Sequence, residues 1–284
     1  MALSEEIARV ENPSRALFEE KYVSTGTPVI VRGVASNWKA FSRWSTDYFR
    51  SPDTGKTVIP VETYTGGDFY KFGRGDGHRR VQHMELRKLI ELLQTQITEK
   101  YYAWSVLLDK LPTLMGDVER PTLFSAEDYL SAHVFIGSDS ITPAHYHPFI
   151  QAFLCQVIGN KEVTLYRPED TKYLYPLPFF STNFNWSKVN FSRPDEARFP
   201  KLASARPIKV VLEKGEMLFI PIHWWHLVEG PGFTTSVTFY WKAHLQHWHL
   251  PTPGLRGVFP GGLYNKIQYH RGLQRLIRSL STPK

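Results

Sequence analysis

Short apolar runs dominate the second half of the chain. AHVFIGS, FLCQVIG, KEVTLYR, IKVVLE, EMLFIP and TTSVTFYW each have strand length, and Gly, Pro or charged residues punctuate them. Strands at this spacing predict an antiparallel sandwich or barrel, here from about Leu130 to Trp241. The first half reads differently. Residues 14–24 (SRALFEEKYVS) predict a helix, Gly26 to Pro28 a turn, and Val29–Val31 a short buried strand, with a second strand near Thr57–Val61. Leu86, Leu89, Ile90, Leu93 and Ile97 step by three and four, which predicts a helix, and Tyr101 to Leu107 then turns β-rich. Near the end, Leu263, Ile267, Leu273, Ile277 and Leu280 fall on one face of an amphipathic helix. The expected fold class is an all-β core with flanking N-terminal and C-terminal helices.

The segment from Arg167 to Arg206 breaks the β rhythm with Pro and aromatics (YLYPLPFF, FNWSKVNF). It is far longer than an ordinary connection, and such inserts serve as lids or binding loops. Phe179, Phe180, Phe184 and Trp186 either grip a substrate or pack the lid onto the barrel. The predicted organisation is one domain over residues 1–250, with its lid at 168–206, followed by a helical tail at 251–284.

Composition narrows the function. The 284 residues carry 34 Lys and Arg against 27 Asp and Glu, a formal net charge of +7. Six of those charges come from Arg256, Lys266, Arg271, Arg275, Arg278 and Lys284, after which the rest of the chain is nearly balanced. A nucleic-acid partner is therefore not implied. No apolar run approaches the ~20 residues of a membrane span. The basic tail helix has three readings: it grips a membrane surface, pairs two subunits into a homodimer, or packs on its own domain. Its apolar face lacks Trp and Phe, which disfavours the membrane. Glu5 and Glu6 stand where a secretory signal is apolar, so no targeting segment is expected. The single cysteine, Cys155, excludes an intrachain disulfide, and a reducing, cytoplasmic location is the expectation.

Three of the eleven histidines carry the candidate chemistry. His145 and His147, in ITPAHYHPF, occupy positions i and i+2 of a strand and project to one face. His226, in GEMLFIPIHWWHLVEG, lies where a strand resumes after a Pro-marked turn. Antiparallel strands distant in sequence become neighbours in a barrel, so the three imidazoles can converge on one ion. Two ligands from one strand and one from another leave coordination positions open, as a catalytic metal requires. A single His on a strand is more often a plain core or surface group, and HxH alone is weak. His247 and His249 form a second HxH after the last strand with no evident third ligand. His223 is expected at the cavity rim or on the surface.

The runs TPAHYHPF, CQVIGNKEVTLYRPED, YLYPLP, RPDEARFPKL, LEKGEMLFIPIHWWHLVEG and SVTFYWK, in this order, resemble the JmjC-type cupin oxygenases. The opening FEEKYVSTGTPVIVRGVASNWKAFSRWSTDYF is also similar, and looks closest to the cupin-8 branch of the asparaginyl hydroxylase acting on hypoxia-inducible factor. The resemblance covers nearly the whole chain. It implies a double-stranded β-helix (cupin, or jelly-roll) barrel, Fe(II) as metal and 2-oxoglutarate as co-substrate. His145 matches the first iron ligand and His226 the last. Lys161 matches the lysine that pairs with the distal carboxylate of 2-oxoglutarate, and Thr142 a hydroxyl on the same group. Tyr102 is the candidate tyrosine there, with Tyr101 the alternative. Without the resemblance, Lys161 reads as a solvated hairpin lysine.

One departure matters most. The family pattern is His-x-Asp, and position 147 is His. That exchange removes a unit of ligand charge, although neutral imidazoles still bind divalent metal well. A polar position of the family falls on Gln151 or Ala152, and Thr238 stands where Asn is frequent. Four functions remain open on the sequence. They are a 2-oxoglutarate-dependent oxygenase, a three-His iron oxygenase whose substrate chelates the metal, a three-His zinc hydrolase, and a non-catalytic binding module. The substrate class, small molecule or peptide, stays open as well.

Overall fold

The computed structural model describes residues 6–64, 69–70, 79–95, 99–179, 181, 183–248 and 253. The predicted C-terminal helix and the lid residue Phe180 lie outside them, as do His249 and Ile97. Eleven strands form the β structure of the described residues: β1 (Arg9–Glu11), β2 (Val29–Arg32), β3 (Val58–Tyr64), β4 (Arg79–Glu85), β5 (Lys100–Leu107), β6 (Tyr129–His145), β7 (Ile150–Ile158), β8 (Lys161–Tyr166), β9 (Ile208–Leu212), β10 (Met217–Ile220) and β11 (Trp225–Lys242). The hydrogen-bonded order is β1-β2-β10-β7-β11-β6-β5-β3-β4, and β8 joins β11 to β9.

Two long strands organise this sheet. β6 and β11 pair antiparallel from Tyr129↔Trp241 to His145↔His226. On its other side β11 changes partner halfway. Trp225 to Glu229 pairs with β8, and Thr235 to Lys242 pairs with β7. The register shifts between Gly230 and Phe233, where the change occurs. A bulge bends and twists a strand locally, so one strand pair serves two sheet faces. Gly159 turns the chain from β7 into β8 at φ +69, and a Cβ there would lie 2.6 Å from the Phe233 carbonyl oxygen. Only glycine fits that approach, and the turn it makes sets Lys161 at the head of β8.

Strand alternation divides the side chains between two faces. Phe153, Cys155 and Val157 of β7 enter the larger core with Trp241, Phe219 and the N-terminal residues Phe18, Trp38 and Phe49. The intervening Ala152 and Leu154 face the barrel interior with Val163, Leu165 and Ile220. The N-terminal segment is helical, as its sequence predicts, and packs against the larger core. It starts at Arg15–Phe18, capped by Ser14, and continues as a π-helical stretch over Glu19–Val23. The helix predicted from Leu86 spans Leu86–Leu93.

The lid is tied down at both ends and at its centre. Asp170 Oδ2 accepts from the Arg206 backbone amide at 3.1 Å. Trp186 bridges to His145, and Phe184 is fully buried with Tyr146, Trp225 and Leu174.

Phe153 sits 5.1 Å from Phe18, 5.1 Å from Trp241 and 5.8 Å from Phe219, ring centre to ring centre. Truncation there empties the junction of helix and sheet. Phe153→Ala is expected to lower the unfolding free energy by ~3–5 kcal/mol in denaturant titration.

Candidate metal centre

His145 ends β6 and His226 lies one residue inside β11, directly across the ladder. His147 lies two residues beyond His145 and keeps its face. The His223 amide donates to the His147 carbonyl at 3.1 Å and fixes the extended turn that carries it. The ring centres of His145 and His226 are 4.1 Å apart, those of His147 and His226 4.6 Å, and those of His145 and His147 5.4 Å. One nitrogen from each ring falls within 4.8 Å of the other two. The expected convergence is present.

Each ring is buried and uncharged. Burial pushes the His145 imidazole down to about 4. Burial, and then repulsion from the neighbouring imidazoles, holds His147 and His226 well below the usual histidine range. His145 Nδ1 donates to the Pro143 carbonyl at 2.9 Å, and His226 Nδ1 donates to the Trp224 carbonyl at 3.0 Å. A carbonyl only accepts, so both rings carry their proton on Nδ1 and keep a lone pair on Nε2. Metal-ligating histidines are oriented in this way. His147 Nδ1 is buried without a hydrogen-bonding partner. An orphaned buried nitrogen costs on the order of 1–3 kcal/mol, which a bound cation or an ordered water offsets. Three buried, neutral nitrogen donors fit a divalent transition metal. Among the described residues no carboxylate joins the cluster.

The cluster opens into a cavity of about 1040 Å³. On one wall stand Lys161, Thr142, Tyr102 and Thr238, all four of the residues expected around the co-substrate. Lys161 is only 2% exposed, against the solvated position its hairpin suggests. Its Nζ donates to Ser236 Oγ at 2.8 Å and lies 5.4 Å from the centre of the Phe135 ring. Burial lowers its amine to about 7. Tyr102, rather than Tyr101, faces inward: its hydroxyl is 3.3 Å from Thr142 Oγ1, and burial raises it to about 12. Tyr101 instead donates to Glu99 near the surface. Of Gln151 and Ala152, the two candidates for the family's polar position, Ala152 lines the cavity. Gln151 points to the opposite face, its Nε2 3.3 Å from His247 Nδ1.

His223 is not at the rim or surface: it is fully buried, its ring 5.9 Å from Tyr146 and 5.6 Å from Trp248. It packs there because its backbone turns at φ +69 to hold the His147 turn. Of the lid aromatics, Trp186 stacks on His145 at 4.6 Å, Phe184 packs lid onto barrel, and Phe179 is exposed. The residues missed by the sequence reading are Ser236, Ser105 and His133. Alternation along β6 puts His133 on the face of Phe135, a signal that was available.

A single long sheet whose central strands carry a histidine-lined cavity is consistent with a cupin-type jelly-roll core. Residues 15–247 match the family model described as a cupin-like domain, and the chain belongs to this cupin-8 family, which takes in JmjC-domain proteins. The chain is 32% identical to lysine-specific demethylase 8 of Danio rerio over 249 residues, covering 84% of this chain and 59% of that protein. It is 29% identical to lysine-specific demethylase 8 of Xenopus tropicalis over 243 residues, covering 83% and 53%. It is 28% identical to tRNA wybutosine-synthesizing protein 5 of Homo sapiens over 291 residues, covering 97% and 88%. The chain therefore spans little more than half the length of the two demethylase-named relatives. Among the described residues no helix is long and apolar enough to cross a membrane.

The three imidazoles are close enough to serve as one chelate. Alanine at His145, His147 or His226 is expected to lower Co(II) affinity by at least about a hundredfold, read from the visible absorption of the bound ion. Tight binding that survives all three substitutions would remove the centre.

Proposed function

We propose that the chain is an Fe(II)- and 2-oxoglutarate-dependent oxygenase whose metal is held by His145, His147 and His226. The observation that carries this reading is Lys161, buried on the wall of the cavity that the three imidazoles enter. Among the described residues no carboxylate pairs with it. A buried amine held by one serine hydroxyl is costly unless an anion completes it. Tyr102 and Thr142 add hydroxyl donors on the same wall. Together these groups suit a carboxylate, and a short diacid anchored there extends toward the histidines. Kinship with the asparaginyl hydroxylase branch rests on residues 18–49 and the IPIHWWH block, and is part of this proposal.

When bound, Fe(II) supplies the redox chemistry by which dioxygen converts 2-oxoglutarate to succinate and carbon dioxide and places its second oxygen atom in a substrate C–H bond. The chain's own residues orient and exclude. Pro143 and Trp224 carbonyls hold two imidazoles with their Nε2 lone pairs inward. Trp186 covers His145 from the lid and keeps water from that side. Tyr102 stays protonated at any working pH and donates steadily.

His147 supports a second reading. A neutral triad leaves the cation's full charge to incoming ligands, which suits a substrate that chelates as an anion and supplies the electrons itself. A zinc hydrolase has no such support. The carboxylate among the described cavity-lining residues is Asp109, whose charge acts on His133 and Tyr129 rather than on the cluster.

Anaerobic addition of Fe(II) and then 2-oxoglutarate is expected to produce a weak metal-to-ligand charge-transfer band, lost in Lys161→Ala. Bound iron with no band would replace the first reading by the second, and failure to bind iron would overturn both. His147→Asp is expected to keep the band and raise succinate formation.

Lysine ionisation gives a pH signature. At pH 9 the free protein holds Lys161 neutral, whereas a carboxylate binds its ammonium form. Binding of 2-oxoglutarate should take up about one proton and weaken roughly tenfold per pH unit above about pH 7, measured by calorimetry in two buffers. The unfolded chain, with its lysine at the ordinary 10.5, binds the extra proton over the same range. Without ligand, this group's penalty on stability therefore shrinks as pH rises from about 7 toward 10.

A further inference from the structure

Beyond the histidine cluster, the cavity continues to a second polar group: Ser105, His133 and Ser131. His133 Nδ1 lies 3.0 Å from the Ser105 carbonyl oxygen and 2.8 Å from Ser105 Oγ. The carbonyl can only accept, so Nδ1 carries the proton, shared with the Ser105 hydroxyl oxygen. Burial keeps the ring neutral, which leaves a lone pair on Nε2. Ser131 Oγ, 2.9 Å from Nε2, therefore donates its hydroxyl proton to the ring. The two serines are left in opposite states. Ser131 has lone pairs but no proton to offer the cavity, and Ser105 has a proton because its oxygen already accepts.

This arrangement is built at a cost. Ser105 adopts φ +58, where a residue with a side chain is strained, and the β5–β6 register shifts between Ala103 and Val106. Strain and bulges of this kind gather at working sites, where they re-aim side chains. One ring links the group to the metal centre. Tyr240 stands edge-on to His133 at 5.2 Å and to His147 at 5.4 Å. Trp104 and Trp248 line the same space and offer flat apolar walls.

We infer that Ser105, His133 and Ser131 are the specificity-determining group of the cavity, reading an uncharged substrate group that both donates and accepts hydrogen bonds, a carboxamide or an alcohol. A carboxylate brings only acceptors to the lone pairs of Ser131, and an ammonium, which those lone pairs accept, leaves the proton of Ser105 without an acceptor. Each charged group thus leaves one hydrogen-bonding partner of this half-buried group unmatched, which disfavours it against a carboxamide or alcohol. The inference rests on the proposed oxygenase reading for its location beside the reaction centre, since a substrate held here lies one aromatic ring from His147.

The test uses four matched probes, benzamide, benzyl alcohol, benzoate and benzylammonium, in ligand-observed saturation-transfer NMR with the whole chain. Benzamide or benzyl alcohol is expected to bind at least tenfold tighter than both charged probes. Ser131→Ala and Ser105→Gly should each reduce that preference to within twofold. Glycine tolerates φ +58, so Ser105→Gly keeps the backbone and its melting temperature should not fall. Equal binding of all four probes, binding of none, or a preference that survives both substitutions would overturn the inference. The probes need neither iron nor 2-oxoglutarate, and both variants should keep wild-type Co(II) affinity. Loss of the charge-transfer band with the probe preference intact would instead count against the oxygenase reading alone.

Discussion

The backbone ladder between β6 and β11 is the constraint on which the site depends. It sets His145 opposite His226 across 81 positions of chain. Because side chains alternate along a strand, a slip of one residue would send one of those imidazoles to the opposite face. The register is held at both ends of β11. β8 pairs with the His226 end of β11, β7 pairs with the other end, and the shift near Gly230 separates the two runs. His147 lies beyond the ladder and needs its own restraint, which the buried His223 turn provides. Two of the imidazoles are thus placed by the sheet and the third by a strained turn packed against it.

Burial then decides the electrostatics. Burial disfavours charge, so the three histidines stay neutral and Lys161 loses most of its usual basicity. These groups are costly to bury alone, and each is relieved by a ligand of the right sign: a cation at the imidazoles and an anion at the lysine. On the proposed reading, the absence of aspartate at position 147 would couple the two sites. A divalent ion without a charged protein ligand would leave more of its field for the anion, and the anion would supply the negative charge that the triad lacks.

Much of this was legible in the chain. Strand-length apolar runs gave away the β core because alternation survives in any half-buried strand, and the HxH spacing put two imidazoles on one face. The rest depended on long-range geometry. Whether Tyr101 or Tyr102 faced inward turned on register, which adjacent aromatics do not reveal. His223 reads as a surface residue in a Pro-marked turn, and only its left-handed backbone and its packing against Tyr146 make it interior. Lys161 looked like a solvated hairpin residue because its burial comes from Phe135 and Ser236, distant in sequence. Ser105 carried no signal, since nothing in YYAWSVL announces a positive φ.

The central claim is that three imidazoles bind a single cation. X-ray absorption at the metal edge of the iron-loaded protein measures this directly. The account predicts one iron per chain, with three imidazole nitrogens at about 2.1 Å and the remaining positions filled by oxygen donors. A first shell with one imidazole or none, at full loading, would contradict it.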